Sequence, residues 1–188
     1  LSYTLASGRD LCEISTENQE SWNLVGLPID MDDAQYQSLF PNSIGGTLYS
    51  FMNGAYILET ELNTGQGYWL RFSADETNLL TDECIFEVTI SLLEGWNLIT
   101  VGSYAVDVND IYDPSGIIQP GTLYGFNETY YSASYLNPGE AYWIRANSDG
   151  EITLGDDESG DWDGDACTMP EYSVHLSGDG SVLYNTAT

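Results

Sequence analysis

The residue types best suited to binding chemistry lie in an acidic segment near the end of the chain. Asp161, Asp163 and Asp165 alternate there, and Asp157 precedes them. Carboxylate oxygens at this spacing are typical ligands of Ca2+. The complete EF-hand loop is not matched, because Ala166 stands where that loop requires glycine. Two hypotheses follow for this segment: a Ca2+ site, or a solvated acidic linker.

The cysteines are a second set of reactive residues. Cys12, Cys84 and Cys167 each precede a run with strand-like alternation. An odd number leaves one thiol over if two of them pair. The open alternatives are three reduced and buried thiols, one intramolecular disulfide with one free thiol, or a bridge to a neighbouring chain. In the last case the terminal strand would add to the neighbour's sheet, which predicts self-association into a fibre.

Two short runs, residues 68–71 and 142–145, place an indole and a guanidinium on the same side of a strand. Side chains alternate between the two faces of a strand, so Trp69 shares a face with Arg71, and Trp143 with Arg145. The opposite face, with tyrosine and an aliphatic residue, is predicted to pack inward. The Trp and Arg face either braces the fold, with each arginine neutralising an acid, or binds a glycan or a partner chain.

These two runs belong to an internal duplication. Trp22 is repeated at Trp96, an offset of 74, and the two copies of the duplication stay at offsets of 74 to 75. The shared positions predict a common fold, with Trp22 and Trp96 as core anchors and with Gly65 and Gly139 in turns that need positive φ. The duplicated blocks are residues 22–25 and 96–99, 46–51 and 121–126, and 62–71 and 136–145.

The elements that must position these residues are short strands separated by turns rich in Asn, Asp and Gly. Residues 32–39 are the exception, since they suggest a helix ended by Pro41, with a similar turn expected over 106–112. The predicted fold is all-β, with two tandem homologous antiparallel modules, sandwich- or barrel-like, and a C-terminal strand segment. The predicted domains are residues 1–82, residues 83–155 and residues 156–188, the last with an acidic loop and strands able to pair with a neighbouring chain.

Charge and composition exclude several classes of function. The 188 residues contain 30 acids against three arginines and no lysine, for a net charge of −27. Such a surface repels phosphate and anionic lipid, so nucleic-acid binding and direct membrane insertion are not expected. The only histidine is His175, and no phosphate-binding loop or nucleophile motif is present in the sequence. We therefore expect no enzyme activity.

The three duplicated blocks resemble a module of secreted and cell-surface bacterial proteins. In that family the blocks often read GWNLIS and GxGYW, and the modules occur in tandem beside adhesion, polysaccharide-binding or surface-anchoring domains. The resemblance covers about residues 20–72 and 94–146, and residues 25–28 and 99–102 depart from the usual run. It implies an extracellular or cell-surface setting and a tandem architecture, and it assigns no catalytic residue.

Together these observations predict an extracellular structural or adhesive protein that self-assembles as a filament or surface-layer subunit. One alternative is a carbohydrate-binding module of a secreted protein, with polysaccharide bound on Trp69 and Trp143. Another is a calcium-stabilised spacer in a larger surface protein.

Overall fold

The computed structural model describes residues 10–155, together with the backbone of two short strands near the C-terminus. The chain divides into two compact units, Leu1–Asp157 and Glu158–Thr188. In the second unit, His175–Leu176 pairs antiparallel with Val182–Leu183. The first unit contains both copies of the duplicated sequence, and the all-β, antiparallel class predicted for them is confirmed.

The first copy forms two sheets around one core. The sheet that carries the duplicated motifs has the order β2-β6-β4-β5, and the other has the order β1-β7-β3. Strand boundaries fall where turn-forming residues interrupt the alternating apolar pattern. The elements are β1 Leu11–Asn18, β2 Ser21–Gly26, β3 Ile29–Asp30, α1 Tyr36–Leu39, β4 Tyr49–Met52, β5 Ala55–Leu58, β6 Gly67–Phe72 and β7 Glu76–Cys84.

The second copy repeats this plan. Its four-stranded sheet has the order β12-β11-β14-β9, and shorter pairs join β15 to β8 and β10 to β13. The elements are β8 Glu87–Leu92, β9 Gly95–Thr100, β10 Val106–Asp107, β11 Tyr124–Asn127, β12 Thr129–Ser132, β13 Tyr135–Leu136, β14 Ala141–Ala146 and β15 Gly150–Gly155. Four strands of the first copy have equivalents in the second copy: β2 corresponds to β9, β4 to β11, β5 to β12 and β6 to β14.

Each copy has its own hydrophobic core, into which one face of the four-stranded sheet points. Tyr68 and Leu70 are fully buried in the first core, and Tyr142 and Ile144 in the second. The prediction that the tyrosine and aliphatic face packs inward is therefore confirmed. A third apolar cluster, built on Leu24, Leu98, Ala141 and Trp143, draws residues from both copies.

The two copies pair with each other about a local two-fold axis. Gly26 N–H donates to the Gly139 carbonyl at 3.0 Å, and Thr100 N–H donates to the Gly65 carbonyl at 3.2 Å. Gly26 is equivalent to Thr100, and Gly65 to Gly139, at an offset of 74. Each contact is thus made twice with the roles exchanged, which is the pattern of an isologous dimer interface within one chain.

The predicted helix is shorter than expected. Only Tyr36–Leu39 is helical, and the aspartate-rich residues before it form a turn in which the Asp33 carboxylate accepts the Gln35 N–H at 3.1 Å. Aspartate readily forms such side-chain bonds to nearby backbone, and these compete with a helical first turn. In the second copy, the expected turn over 106–112 begins with the two-residue strand β10.

A disulfide joins Cys12 of β1 to Cys84 at the end of β7. The alternative with three reduced thiols is therefore wrong, and these two cysteines bond within the chain. Cys167 lies outside the described residues. Within the part that the structure describes, no helix has the length and apolarity needed to cross a membrane.

Candidate functional site

The asparagine of each Trp-Asn-Leu block closes the turn that leads into the first strand of the four-stranded sheet. Asn23 Nδ2 donates to the Gln19 carbonyl at 2.8 Å, and its Oδ1 accepts the Gln19 N–H at 3.1 Å. Asn97 makes the same pair of bonds to Leu93 at 2.8 and 3.0 Å. The asparagine therefore fixes the position at which the preceding tryptophan enters the sheet.

The tyrosine of the third duplicated block holds the loop that precedes its own strand. The Tyr68 hydroxyl accepts the Asn63 N–H at 2.8 Å and donates to Gln66 Oε1 at 3.1 Å. In the second copy the Tyr142 hydroxyl accepts the Asn137 N–H at 2.9 Å. Burial raises the pKa of both tyrosines, so each hydroxyl keeps its proton for these bonds.

Tyr142 differs from Tyr68 in its acceptor. Its hydroxyl donates to Glu140 Oε2 at 2.6 Å, where the first copy has the neutral Gln66. After burial, this bond to a carboxylate is the main cause that raises the pKa of Tyr142.

The glycines of these loops have the predicted conformation and an additional role. Gly65 and Gly139 have φ of 78° and 83°, which confirms the expected positive φ. A Cβ at Gly65 would lie 2.9 Å from Val88 Cγ1, and a Cβ at Gly139 would lie 2.6 Å from Thr16 Cγ2. Both loops therefore press against the other copy, and the absent side chain permits that close approach.

The other face of each four-stranded sheet is aromatic and faces away from the module core. In the first copy the cross-strand pairs Trp22 with Arg71, Leu24 with Trp69, and Phe51 with Tyr56 lie on this face. In the second copy it carries Trp96, Arg145, Leu98, Trp143, Tyr124, Phe126 and Tyr130. We call the two surfaces together the aromatic face.

The centre of the aromatic face is used for contact between the two copies. Phe51 lies 4.8 Å from Trp143 between ring centroids, and Trp69 lies 4.9 Å from Phe126, both in edge-to-face geometry. These pairs are equivalent under the local two-fold axis, and edge-to-face packing is favourable between aromatic rings. The Trp143 side chain is 8% exposed, and the Trp69 side chain is half-buried. The tryptophans predicted as a glycan or partner surface thus lie mainly against the other copy.

The arginines of the same blocks lie at the surface. Arg71 and Arg145 are both exposed, and Arg145 Nη1 donates to Gln119 Oε1 at 2.8 Å. Neither guanidinium forms an ion pair with a carboxylate among residues 10–155. The hypothesis that each arginine neutralises a buried or clustered acid therefore has no support in this part of the chain.

Trp22 and Trp96, predicted as core anchors, are at the edge of the aromatic face instead. They are 39% and 43% exposed, because the alternation that directs Val25 and Ile99 inward directs these two outward. Each lies 6.3 Å from the tryptophan of its own sheet, Trp69 or Trp143, with the rings at 89°. Each also lies close to a tyrosine, Tyr49 at 6.2 Å or Tyr124 at 6.1 Å. The core-anchor prediction is wrong for both.

An open groove of about 450 Å³ crosses from one copy to the other on the aromatic face. Its exposed walls are Trp96 together with Tyr56 and Tyr130, which are 55% and 57% exposed. Burial by the surrounding rings, and then the nearby Tyr56 phenol, raise the pKa of Tyr130. The remaining lining residues are Phe51, Tyr124 and Trp143.

The floor of the groove contains a polar group without a partner. The Trp143 indole N–H is buried and donates to no acceptor among the described residues. It lies close enough to the Tyr130 hydroxyl to affect the pKa of that group, without reaching hydrogen-bond geometry. Buried donors are nearly always satisfied in folded proteins, so an unpaired one in a groove marks a position for an acceptor from outside.

Metal binding is not indicated in the described part of the chain. Residues 10–155 contain no group of three or more His, Cys, Asp or Glu side chains placed to hold a metal ion. The aspartates of the inter-strand loops bond to backbone instead: the Asn109 N–H donates to Asp107 and lowers its pKa, and the Ile117 N–H donates to Asp113. The predicted calcium ligands Asp157, Asp161, Asp163 and Asp165 lie outside the described residues.

Comparison with protein-family models, curated proteins and solved structures gave no match to this chain.

Proposed function

We propose that this chain is an extracellular structural and adhesive protein, in which the paired modules are a rigid support and the aromatic face is the contact surface. The proposal rests on the structural roles that the duplicated residues have in both modules. Asn23, Tyr68 and Gly65, with their equivalents, hold turns and the seam between the modules. Their roles are structural, while the exposed rings beside them remain free to contact other molecules.

An extracellular setting is supported by the bond between Cys12 and Cys84, since disulfides persist mainly in oxidising compartments. The charge of −27 repels anionic polymers. Assembly through the end of the chain is part of the proposal. Because Cys12 and Cys84 are paired with each other, Cys167 is the cysteine that would form a covalent bridge between chains.

Imaging and sedimentation test this function directly. Purified protein is examined by negative-stain microscopy and analytical ultracentrifugation, with and without reductant, beside Cys167→Ser. Filaments or large species are expected in the wild type. A reductant-sensitive dimer that is lost in Cys167→Ser supports the covalent bridge, whereas a monomer under all conditions contradicts assembly.

The calcium-stabilised spacer is kept as a second candidate, because residues 156–165 contain six acidic side chains within ten positions. An ion that binds only the folded state stabilises it by an amount that rises with the logarithm of the free ion concentration above the dissociation constant. The test is the midpoint of thermal unfolding in Ca2+, in Mg2+ and after chelation, with Asp161→Asn and Asp163→Asn together as the variant. A rise that is specific to Ca2+ and lost in the variant supports this candidate, and equal midpoints in all three conditions reject it.

A further inference from the structure

The aromatic face keeps large exposed rings after the contact between the modules has been made. Phe51, Trp69, Phe126 and Trp143 are used in that contact. Trp22, Trp96, Tyr56 and Tyr130 keep a large part of their surface open to solvent. Exposed tryptophans on an otherwise highly charged protein are unusual, because their apolar area is costly in water, and they mark a contact site.

The open rings are arranged as two equivalent platforms. Trp22 with Tyr49 on one module repeats Trp96 with Tyr124 on the other, at 6.2 and 6.1 Å and at interplanar angles of 44° and 46°. Tyr56 and Tyr130 line the groove beside the platform of Trp96 and Tyr124, whereas Trp22 and Tyr49 do not line it. A ligand that fits both of these equivalent platforms must present the same ring to each, as the repeating units of a linear polymer do.

The charges on and around this face determine whether a cationic, anionic or neutral polymer can bind there. Arg71 is the cross-strand partner of Trp22, and Arg145 is the cross-strand partner of Trp96. Two of the three cations of the chain thus flank the platforms, which disfavours a polycationic ligand there. The total charge of −27 opposes the approach of a polyanion. A neutral polymer satisfies both conditions.

The groove also presents polar groups that oxygen atoms of a ligand can satisfy. The buried Trp143 N–H has no acceptor among the described residues, and the Tyr130 hydroxyl lies beside it. A ligand hydroxyl can accept from the first group and exchange a bond with the second. The volume of about 450 Å³ lies within the usual range for small-ligand sites, about 300–1,000 Å³.

We infer that the aromatic face binds a neutral, linear polysaccharide, which stacks sugar rings on the Trp22 and Trp96 platforms and places a hydroxyl at the Trp143 N–H. This site differs from the one expected on Trp69 and Trp143, whose rings mainly serve the contact between modules. It deepens the adhesive function proposed above and rests on it, since it names the material to which the surface adheres.

Native affinity electrophoresis tests the inference with the folded chain. Gels contain hydroxyethylcellulose, galactomannan or a soluble mixed-linkage glucan as neutral probes, and alginate as a polyanionic probe. The wild type should be retarded by at least one neutral polymer and not by alginate. Trp22→Ala and Trp96→Ala should each weaken binding about tenfold, the scale of a lost aromatic contact, and the double variant should abolish retardation.

Matched variants separate binding from folding. Tyr112→Ala removes an exposed ring that lies outside the aromatic face, and it should bind as the wild type does. Trp96→Phe keeps a ring and should retain part of the affinity. Tyr130→Phe keeps the ring and removes the hydroxyl, so it should weaken binding about fivefold, the scale of one hydrogen bond. Circular dichroism and the thermal midpoint check that each variant is folded.

Three results overturn the inference: no retardation in any neutral gel, equal retardation of the wild type and the double tryptophan variant, or tighter binding of a polyproline peptide than of every polysaccharide in a tryptophan fluorescence titration. The polyproline result would assign the groove to a protein ligand instead. A chain that assembles into filaments and binds no polysaccharide keeps the proposed structural function and loses this inference.

Discussion

Gly67 of β6 lies directly against Ala141 of β14, its equivalent in the second module. A Cβ built on Gly67 would lie 2.7 Å from the Ala141 Cβ and 2.8 Å from the Ile99 carbonyl oxygen. The local two-fold axis therefore passes through a contact that permits one methyl group and has no room for a second. The difference between glycine in one copy and alanine in the other allows the two sheets to close on each other.

Gly67→Ala should loosen this seam. The added methyl meets backbone as well as a side chain, so the neighbours cannot rotate away, and overpacking of this kind costs about 1–3 kcal/mol. The free energy of unfolding in urea measures the loss. Gly45→Ala is the matched control, because its Cβ would meet only Gln37 Nε2 at 3.4 Å. Equal stability of the two variants would contradict the close contact at the axis.

The buried tyrosines predict loss of stability at alkaline pH. Burial raises the pKa of Tyr68 and Tyr142 above the unfolded value of 10.0, so the folded state holds these protons more tightly than the unfolded chain does. Their stabilising contribution is complete below pH 10 and decreases as the pH rises above it. Tyr142→Phe should flatten this decrease in the free energy of unfolding, measured between pH 9 and about pH 11.

The same variant should be less stable at neutral pH, since the Asn137 N–H then loses its acceptor at a cost of about 1–3 kcal/mol. Tyr36→Phe is the comparison, because the Tyr36 hydroxyl also accepts a backbone N–H, from Gly46 at 2.7 Å. An unchanged alkaline slope in Tyr142→Phe would show that other groups control this pH range.

The disulfide should account for a large share of the stability of the first module. Cys12 and Cys84 are 72 residues apart, and closing a loop of that length stabilises the folded state by about 4 kcal/mol on the chain-entropy model. Cys12→Ser with Cys84→Ser should therefore lower the midpoint of thermal unfolding substantially. Cys167→Ser, which leaves the bond intact, should not. A midpoint insensitive to both reductant and the double variant would contradict the assigned pairing.

Much of the fold followed from local patterns in the sequence. Alternation in residues 68–71 correctly separated buried Tyr68 from exposed Arg71, because one face of the sheet meets the module core. The positive φ of Gly65 followed from its place in a turn. The pairing of Cys12 with Cys84 remained one of several alternatives, because strand order decides which thiols meet.

The candidate site was not predicted, because it depends on how the two copies pair. Trp22 and Trp69 lie on the same face of one sheet, and both are large aromatic residues repeated in the second copy. The second module covers the centre of that face and leaves its edge open, so Trp69 is half-buried and Trp22 exposed. The alternation of side chains along the strand does indicate the position of Trp22. Residues an odd number of positions apart lie on opposite faces of a strand, so Trp22, three positions before the buried Val25, belongs to the outward face.

The turn asparagines provide a test of the internal symmetry. Asn23→Ala and Asn97→Ala each remove bonds to both the N–H and the carbonyl of one residue at a partly solvated turn, so each should cost about 1 kcal/mol. Because the two asparagines hold different turns, their effects should add in the double variant to within about 0.5 kcal/mol. Urea unfolding of the wild type, the two single variants and the double variant measures the individual costs and their additivity.

Asn109→Ala, whose amide bonds only to Asp107, is the control and should change stability by less than about 0.5 kcal/mol. A large cost for one asparagine and none for the other would show that the two modules do not depend on this turn in the same way.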